Sequence, residues 1–253
     1  MHSDFQRADA AADLHSQARR GEALNEEDLR WLQEMYDAEI RQLDDVLGRF
    51  FGWLDEHGLD DDTLIVLTSD HGEEFGEHGG LLHGRTMFQE VLSIPLIVKG
   101  PGVPPGRTVG TAAHLVDVTP MILGLLGITP RTKLDGIDLS SAWRSPDTLP
   151  ALRPLFAEAD NNNELDGKPV TDIKAMVRLG STKLCLDKHT GEVQLYDLGT
   201  DPRELNDLAP ERPEQVDALR DSLEKFHATE VEPELIPELR PEEHPLLIAP
   251  CPY

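Results

Sequence analysis

The sequence predicts an α/β layered domain with an incomplete, parallel-type sheet, followed by a small antiparallel sheet that carries its own helix. An amphipathic helix precedes two continuous apolar segments of strand length, and this order is typical of α/β layers. Farther along, short strand-like segments are separated by turn residues, which indicates antiparallel pairing. We therefore expect two structural units joined by a linker.

The helix is predicted between Asn25, which can cap its N-terminus, and Gly58, which can end it. Its apolar residues recur at spacings of three or four, so they share one face that we expect to pack against a sheet. This apolar stripe consists of Leu29, Leu32, Tyr36, Ile40, Leu43, Leu47, Phe50 and Leu54.

The two apolar strand segments span residues 63–68 and 94–98. Neither alternates polar with apolar residues, which is typical of parallel strands covered on both faces. A second, shorter helix is expected to begin with Thr119 as its cap and Pro120 as its first helical residue, and to end at Gly127.

Changes in composition divide the chain into five segments. The segments are a polar N-terminal stretch (1–24), a partial α/β domain (25–143), a proline-containing linker (144–154), an α+β subdomain (155–228) and an acidic, proline-rich tail (229–253). In the α+β subdomain we expect a helix that begins at Pro213 and three strands, at residues 173–179, 183–186 and 193–198.

The formal net charge of -25 excludes nonspecific attraction to nucleic acid or to an anionic membrane, because the field of the whole chain repels polyanions. An anionic ester would need a local positive site, which a bound divalent cation could supply. No apolar run reaches the roughly 20 residues of a spanning helix, and no signal-peptide pattern is present, so the compartment stays open. Cys185 and Cys251 do not form a disulfide framework.

Asp70 and His71 lie at the carboxyl end of the first apolar segment, where open α/β sheets bind ligands. Successive side chains of a strand point to opposite faces, so both can reach one ligand only where the strand breaks into a turn. Gly72 permits that break. A carboxylate and an imidazole are suitable donors for a divalent cation, and the sequence therefore predicts a metal site here.

A glycine-punctuated loop follows, from residue 73 to residue 86, and contains His83 and Arg85. Arginine offers a planar fork of donors to a tetrahedral anion, and histidine can donate to an oxyanion or protonate a leaving group. We therefore predict that His83 and Arg85 contact the substrate. The acids Glu73, Glu74 and Glu77 of the same loop are expected to be solvated.

Several segments, in order, resemble the sulfatases of the alkaline-phosphatase superfamily, and the resemblance covers roughly residues 25 to 228. The segments are SDHGE at 69–73, GEHG at 76–79, IPLIVKGPG at 94–102, HLVDVTPMIL at 114–123 and LYDL at 195–198. The resemblance implies an alkaline-phosphatase-like fold and hydrolysis of a small sulfate ester. It also implies that Asp70 and His71 bind one divalent metal ion, calcium being expected and manganese or magnesium the alternatives.

The predicted metal-binding turn at residues 70–72 is called the metal turn below. One departure from the family concerns the loop that follows it. Many sulfatases bind sulfate there through a lysine, whereas this chain has His83 and Arg85 in the corresponding stretch. In this respect it resembles phosphoethanolamine transferases more closely. A phosphate or phosphonate monoester hydrolase, or a phosphoethanolamine transferase, therefore remains an alternative.

The family's catalytic nucleophile is a formylglycine made from a Cys-x-Pro-Ser-Arg or Ser-x-Pro-x-Arg motif, and no such motif precedes Asp70. We therefore expect the chain to correspond to the C-terminal half of a sulfatase and to be inactive in isolation. Strands without partners would expose a sheet edge through which the chain could self-associate. A noncatalytic metal-binding or docking fragment that acts only with a partner chain is the remaining alternative.

Overall fold

The computed structural model describes residues 24–144 and 152–228, apart from residues 166 and 167, together with residues 14, 16, 17 and 149. Between residues 161 and 172 only the backbone is considered. The predictions for the acidic tail, for most of the N-terminal stretch and for about half of the linker lie outside the described residues.

The described elements combine helices and strands in the first unit and are mainly strands in the second. In chain order they are α1 (Glu26–Glu56), β1 (Ile65–Thr68), β2 (Glu74–Phe75), β3 (Leu81–Leu82), α2 (Gln89–Leu92), β4 (Leu96–Lys99), α3 (Val118–Leu125), β5 (Pro154–Leu165), β6 (Lys168–Leu179), β7 (Thr182–Asp187), β8 (Val193–Asp197) and α4 (Pro213–Ala228). No described helix combines the length and apolarity needed to cross a membrane.

Helix α1 begins and ends where the sequence predicts. The Asn25 side-chain oxygen accepts hydrogen bonds from the amides of Glu27 and Asp28, each at 2.9 Å, and thereby satisfies two amides that have no helical partner. Gly58, just past the helix, has a φ of 65°, which is the usual backbone of a helix stop.

The predicted packing of the whole α1 stripe against a sheet is wrong for the middle of the helix. Leu32 and Leu54 are buried near the two ends, but the apolar side chains between them are largely exposed, Leu43 by 56%. The exposed members are Tyr36, Ile40, Leu43 and Phe50, and two other apolar side chains of α1, Val46 and Trp53, are exposed as well. The reason is size, because a 31-residue helix is about 46 Å long and four-residue strands span only roughly 13 Å.

Strands β1 and β4 pair antiparallel, with Ile65 opposite Lys99 and Thr68 opposite Leu96. The expected parallel pairing is therefore wrong for these two strands. The segment between them folds into the β2–β3 hairpin and α2 at the carboxyl end of β1, so the chain re-enters the sheet from that same end. The expected coverage on both faces is not seen either, because no residue of β1 or β4 is fully buried and Ile97 of β4 is 60% exposed.

Helix α3 packs Met121 with Leu139 and Ala142 beneath the β1–β4 pair. Its predicted cap is wrong, since Thr119 and Pro120 lie inside the helix. A 3-10 turn, Leu115–Asp117, precedes α3, and His114 caps that turn in a reciprocal arrangement with Asp117. Gly127, with a φ of 66°, follows the helix as predicted.

The second unit is a four-stranded antiparallel sheet in the order β5-β6-β7-β8. The three predicted strands and the helix at Pro213 are confirmed, and β5 is an additional strand that the sequence prediction missed. Helix α4 covers one face of the sheet, and the shared core consists of Ala175, Val177, Leu184, Leu195, Leu208, Leu219 and Leu223.

The two units share buried contacts. Met87 of the first unit packs against Met176 and Cys185 on the sheet face opposite α4. The carboxylate of Asp117 is fully buried and forms a two-point ion pair with the guanidinium of Arg153, one of whose hydrogen bonds measures 3.0 Å. Such a forked pair fixes geometry as well as charge, so it holds the end of the linker, directly before β5, in a defined place on the first unit.

Candidate metal and oxyanion site at the end of β1

The turn after β1 brings the Asp70 and His71 side chains to the same side. The His71 amide donates to Asp70 Oδ1 at 2.9 Å, and His71 Nδ1 lies 2.8 Å from the carbonyl oxygen of Gly72. A carbonyl can only accept, so Nδ1 carries the proton and the lone pair of Nε2 is left available. Nε2 lies 3.7 Å from Asp70 Oδ2. Metal–ligand bonds of about 2.0 to 2.5 Å allow one cation to bind both atoms.

The carboxylate of Asp70 is held in its charged form. Its pKa is lowered mainly by the hydrogen bond from the His71 amide, with further help from backbone and side-chain groups of the same turn. The side chain is 85% exposed, so a cation from solvent can reach it. Anionic charge and open access are both properties of a metal ligand.

Gly72 allows the turn for a reason that the sequence did not reveal. Its amide donates to the carbonyl of Val91 at 2.7 Å. A Cβ at this position would lie 2.0 Å from the carbonyl oxygen of Glu90, so no other residue fits without a shift of the backbone. The turn is thus seated directly on the backbone of α2.

His83 joins Asp70 and His71 in the structure. Its ring stacks on the ring of His71 with 4.0 Å between centroids, and its Nδ1 lies 3.1 Å from Glu73 Oε2. The side chain of His83 is half-exposed, whereas that of Glu73 is 17% exposed, so Glu73 is a partner of His83 and is not a freely solvated acid. Arg85 follows in the same loop and is partly buried, and its contact with substrate stays a prediction.

Glu74 contradicts the expectation of a solvated acid, since it is only 1% exposed. Its carboxylate accepts hydrogen bonds from the Gly80 amide at 3.0 Å and from the Thr86 hydroxyl at 2.9 Å. Burial raises the pKa of this carboxyl, and the two hydrogen bonds oppose that effect. Glu74 thereby closes the loop that carries His83. The glycine at position 80 is the signal in the sequence, because a Cβ there would lie 2.6 Å from the Glu74 carboxylate.

Glu74, His78 and Glu90 form a second group of donors, whose ligand atoms lie within 4.8 Å of one another. In the described part of the chain it is the one group of three or more such residues that is this compact. Glu74 is bonded to Gly80 and Thr86, and His78 Nδ1 lies 2.5 Å from Glu90 Oε1. The potential ligand atoms of Glu74 and His78 therefore already form hydrogen bonds within the protein.

A cleft of about 880 Å³ lies along β4 and the loop that follows it, with Met121, Leu139 and Trp143 among its apolar walls. None of Asp70, His71 and His83 lines it. The cleft is therefore separate from the cluster at the end of β1.

Comparison with known proteins relates this chain to one family. A family model described as Sulfatase matches residues 7–128. Arylsulfatase K of Xenopus laevis is 29% identical over 209 residues, covering 76% of this chain and 36% of that protein. The choline-sulfatase of Rhizobium meliloti (strain 1021) is 34% identical over 190 residues, covering 74% of this chain and 35% of that protein.

A solved structure shows the same fold. The phosphonate monoester hydrolase of Agrobacterium radiobacter superposes with a TM-score of 0.67 at 28% identity, covering 81% of this chain and 42% of that one. The α/β class with its small antiparallel sheet and helix is thus confirmed. The chain spans between 35% and 42% of the length of these three proteins. Because the family model and both sulfatases match the same chain, the protein belongs to the sulfatase family of the alkaline-phosphatase-like superfamily.

Proposed function

We propose that the chain contributes half of the active site of a metal-dependent sulfuric ester hydrolase. The observation that carries the proposal is the convergence of three side chains, with Asp70 Oδ2 3.7 Å from His71 Nε2 and the His83 ring stacked on that of His71. The names of two similar proteins, an arylsulfatase and a choline-sulfatase, support a sulfate ester as the substrate.

Asp70 and His71 fit a divalent cation as two of its ligands. One is a charged carboxylate, and the other is an imidazole whose Nδ1 is already bonded to a carbonyl. Calcium takes about six or more ligands, so others must complete the shell, and we propose calcium with manganese or magnesium as alternatives. When bound, the cation would supply the positive charge that an anionic ester needs beside a chain of net charge -25.

His83 and Arg85 are proposed to act on the ester itself. Glu73 accepts from the Nδ1 side of His83, so Nε2 can donate to a non-bridging oxygen or protonate the leaving group when the ring carries a second proton. Arg85 would offer its fork of donors to the tetrahedral anion. None of these side chains is a nucleophile of the family's kind, so we propose that the isolated chain does not turn over.

A phosphate or phosphonate monoester is the second candidate substrate, and a phosphoethanolamine transferase-like activity belongs to the same alternative. His83 stands where many sulfatases have lysine, and the Agrobacterium radiobacter relative is named a phosphonate monoester hydrolase. The metal turn would serve either substrate, because sulfate and phosphonate esters are both tetrahedral anions.

Calorimetric titration of the chain with calcium, manganese and magnesium tests the metal part of the proposal. We expect binding by the wild type and a loss of at least about tenfold in affinity for Asp70→Ala, since a charged ligand is removed. Asp44→Ala, which removes an exposed carboxylate from α1, should bind as the wild type does. Absence of binding by the wild type would contradict the proposed metal site.

The substrate is tested by binding, because turnover is not expected. Metal-loaded chain should bind 4-nitrophenyl sulfate more tightly than a phenylphosphonate monoester, and His83→Ala should weaken that binding. Tighter binding of the phosphonate would favour the second candidate. Hydrolysis of either ester by the isolated chain would contradict the proposal that the chain supplies only half of the active site.

A further inference from the structure

The metal turn rests on α2, a helix of only four residues. Gly72 donates to Val91 and packs on the carbonyl of Glu90, so any movement of α2 moves the residue next to His71. An isolated helix of this length is unstable in water, because its nucleation is unfavourable and its few hydrogen bonds do not offset that cost. Something outside α2 must therefore fix its position.

His78 provides the first attachment. Its Nδ1 lies 2.5 Å from Glu90 Oε1, and its ring stacks on Phe88, the residue before α2, with 3.6 Å between centroids and 10° between planes. Both partners of the hydrogen bond are shielded from water, with His78 12% and Glu90 17% exposed. A shielded hydrogen bond to a charged group is stronger than one at the surface.

His78 also reaches the second structural unit. Its Nε2 lies 3.1 Å from the carbonyl oxygen of Arg203 and 3.2 Å from that of Glu204. Both ring nitrogens thus face acceptors only, which requires a proton on each of them. Burial is the largest single effect and opposes this charge, but the hydrogen bond that His78 donates to Glu90, the negative charge of Glu90 and the two backbone carbonyls together outweigh it, so the pKa of His78 is raised.

Glu204 provides a second attachment, at the first residue of α2. Its Oε2 accepts from the amide of Gln89 at 2.6 Å, and its Oε1 accepts from Lys183 Nζ at 2.5 Å. The side chains of Glu204 and Lys183 are completely buried. Glu204 also has a φ of 54°, an unfavourable backbone for a residue with a side chain, and such strain persists only where the surroundings impose it.

From these contacts we propose that His78 is a positioning residue that couples the second structural unit to the metal turn. It joins the carbonyls of Arg203 and Glu204 to Glu90, and α2 passes this constraint to Gly72 and thus to Asp70 and His71. What the turn binds rests on the proposed function, whereas the mechanical coupling does not.

Hydrogen exchange of the Gly72 amide, followed by NMR, tests the coupling without any metal. In His78→Ala we expect Gly72 to exchange at least about tenfold faster relative to the Leu195 amide, which lies in the second unit and donates to Asp207. A uniform acceleration of both amides indicates global destabilisation, and that result, like unchanged exchange, would overturn the proposal.

Two further variants make the result unambiguous. Leu223→Ala removes a buried side chain from the core beside α4 and should accelerate Gly72 and Leu195 together. Glu90→Gln keeps the shape of the acceptor while removing its charge, so it should accelerate Gly72 selectively but less than His78→Ala does. If His78→Ala does not fold, Glu90→Gln decides the matter by the same ratio.

Calcium titration then tests whether the coupling affects metal binding by Asp70 and His71. Loss of a group that orients a metal ligand typically lowers affinity by 10- to 100-fold. We expect a decrease of at least about tenfold in His78→Ala and little change in Leu223→Ala. An unchanged affinity in His78→Ala would overturn the link to the metal, whereas no binding by the wild type would count against the proposed function and leave the exchange test decisive for the coupling.

Discussion

Gly72 is required because it has no side chain. Its backbone is not in the left-handed region, and its role is to leave room for the carbonyl oxygen of Glu90. Gly52, near the C-terminal end of α1, is the opposite case, because a Cβ there would meet nothing within 4 Å. The two glycines should therefore respond to alanine with opposite signs.

We predict that Gly72→Ala destabilises the chain by about 2 kcal/mol or more, since the new methyl group forces the backbone apart. Gly52→Ala should instead stabilise it by about 0.5 to 1 kcal/mol, because alanine restricts the unfolded chain and favours a helix. Urea unfolding followed by circular dichroism measures both changes. A Gly72→Ala variant as stable as the wild type would contradict the close packing of the turn on α2.

At the scale of residues, the sequence pointed to Asp70, His71 and His83 but did not reveal the residues that hold them in place. Asp70 and His71 could be found because they follow an apolar strand segment directly, and His83 because it stands in the glycine-punctuated loop. Glu73 and Glu74 could not be told from solvated acids, since their partners are brought close only by the folded loop. A local pattern can reveal a donor, but its partners are set by tertiary structure.

The same limit applies to whole elements. Helix α1 was predictable with both of its ends because its caps and its periodicity are local. The direction of β4 depends on the path of the chain between β1 and β4, and the cap of α3 depends on a 3-10 turn held by His114 and Asp117. Strand β5 escaped prediction because it begins at a proline and contains polar residues.

Strands β6 and β7 carry a cross-strand ion pair between Lys174 and Asp187. Burial alone would raise the pKa of Asp187, but Lys174 and the amides of Thr190 and His189 outweigh it and lower the pKa to about 2. Both charged side chains are less than one quarter exposed, at 24% and 19%, so solvent screens the pair only in part. The folded state therefore binds the proton more weakly than the unfolded state does.

This difference predicts a pH window for stability. A lowered pKa contributes stability above the unfolded value near 3.8, and that contribution is lost as the pH falls through about 2. Its size is on the order of 2 kcal/mol, at about 1.4 kcal/mol per pH unit. Asp187→Asn keeps the shape without titrating, so it should be less stable than the wild type at pH 6 and equally stable near pH 2. Urea unfolding at both values measures this, and a constant gap between the two proteins would refute the assignment.

At the scale of the whole molecule, charge and apolar surface oppose each other on α1. Its exposed stripe lies among ten acidic and three basic residues of the same helix, in a chain of net charge -25. Apolar surface favours burial against another chain, whereas like charges keep copies apart over roughly 10 Å at moderate salt. Self-association was expected at a sheet edge, and the exposed α1 stripe is a further surface that could support it.

We therefore predict association of the chain that strengthens with salt and depends on the α1 stripe. Sedimentation velocity in 0.05 M and 0.5 M sodium chloride should show a larger associated fraction at the higher concentration, because screening removes the repulsion and leaves apolar burial intact. Leu43→Lys should abolish this increase, since a charge would have to be buried in the contact.

Gln42→Lys provides the matched control for that prediction. It adds the same charge one position away, where the helical rotation of about 100° turns the side chain off the stripe. If the apolar stripe drives association, Gln42→Lys should associate as readily as the wild type at high salt while Leu43→Lys stays monomeric. Equal suppression by both lysines would show that charge alone governs association. Association that neither lysine affects would assign the contact to a different surface, such as the edge of the β1–β4 sheet, where Ile97 is 60% exposed.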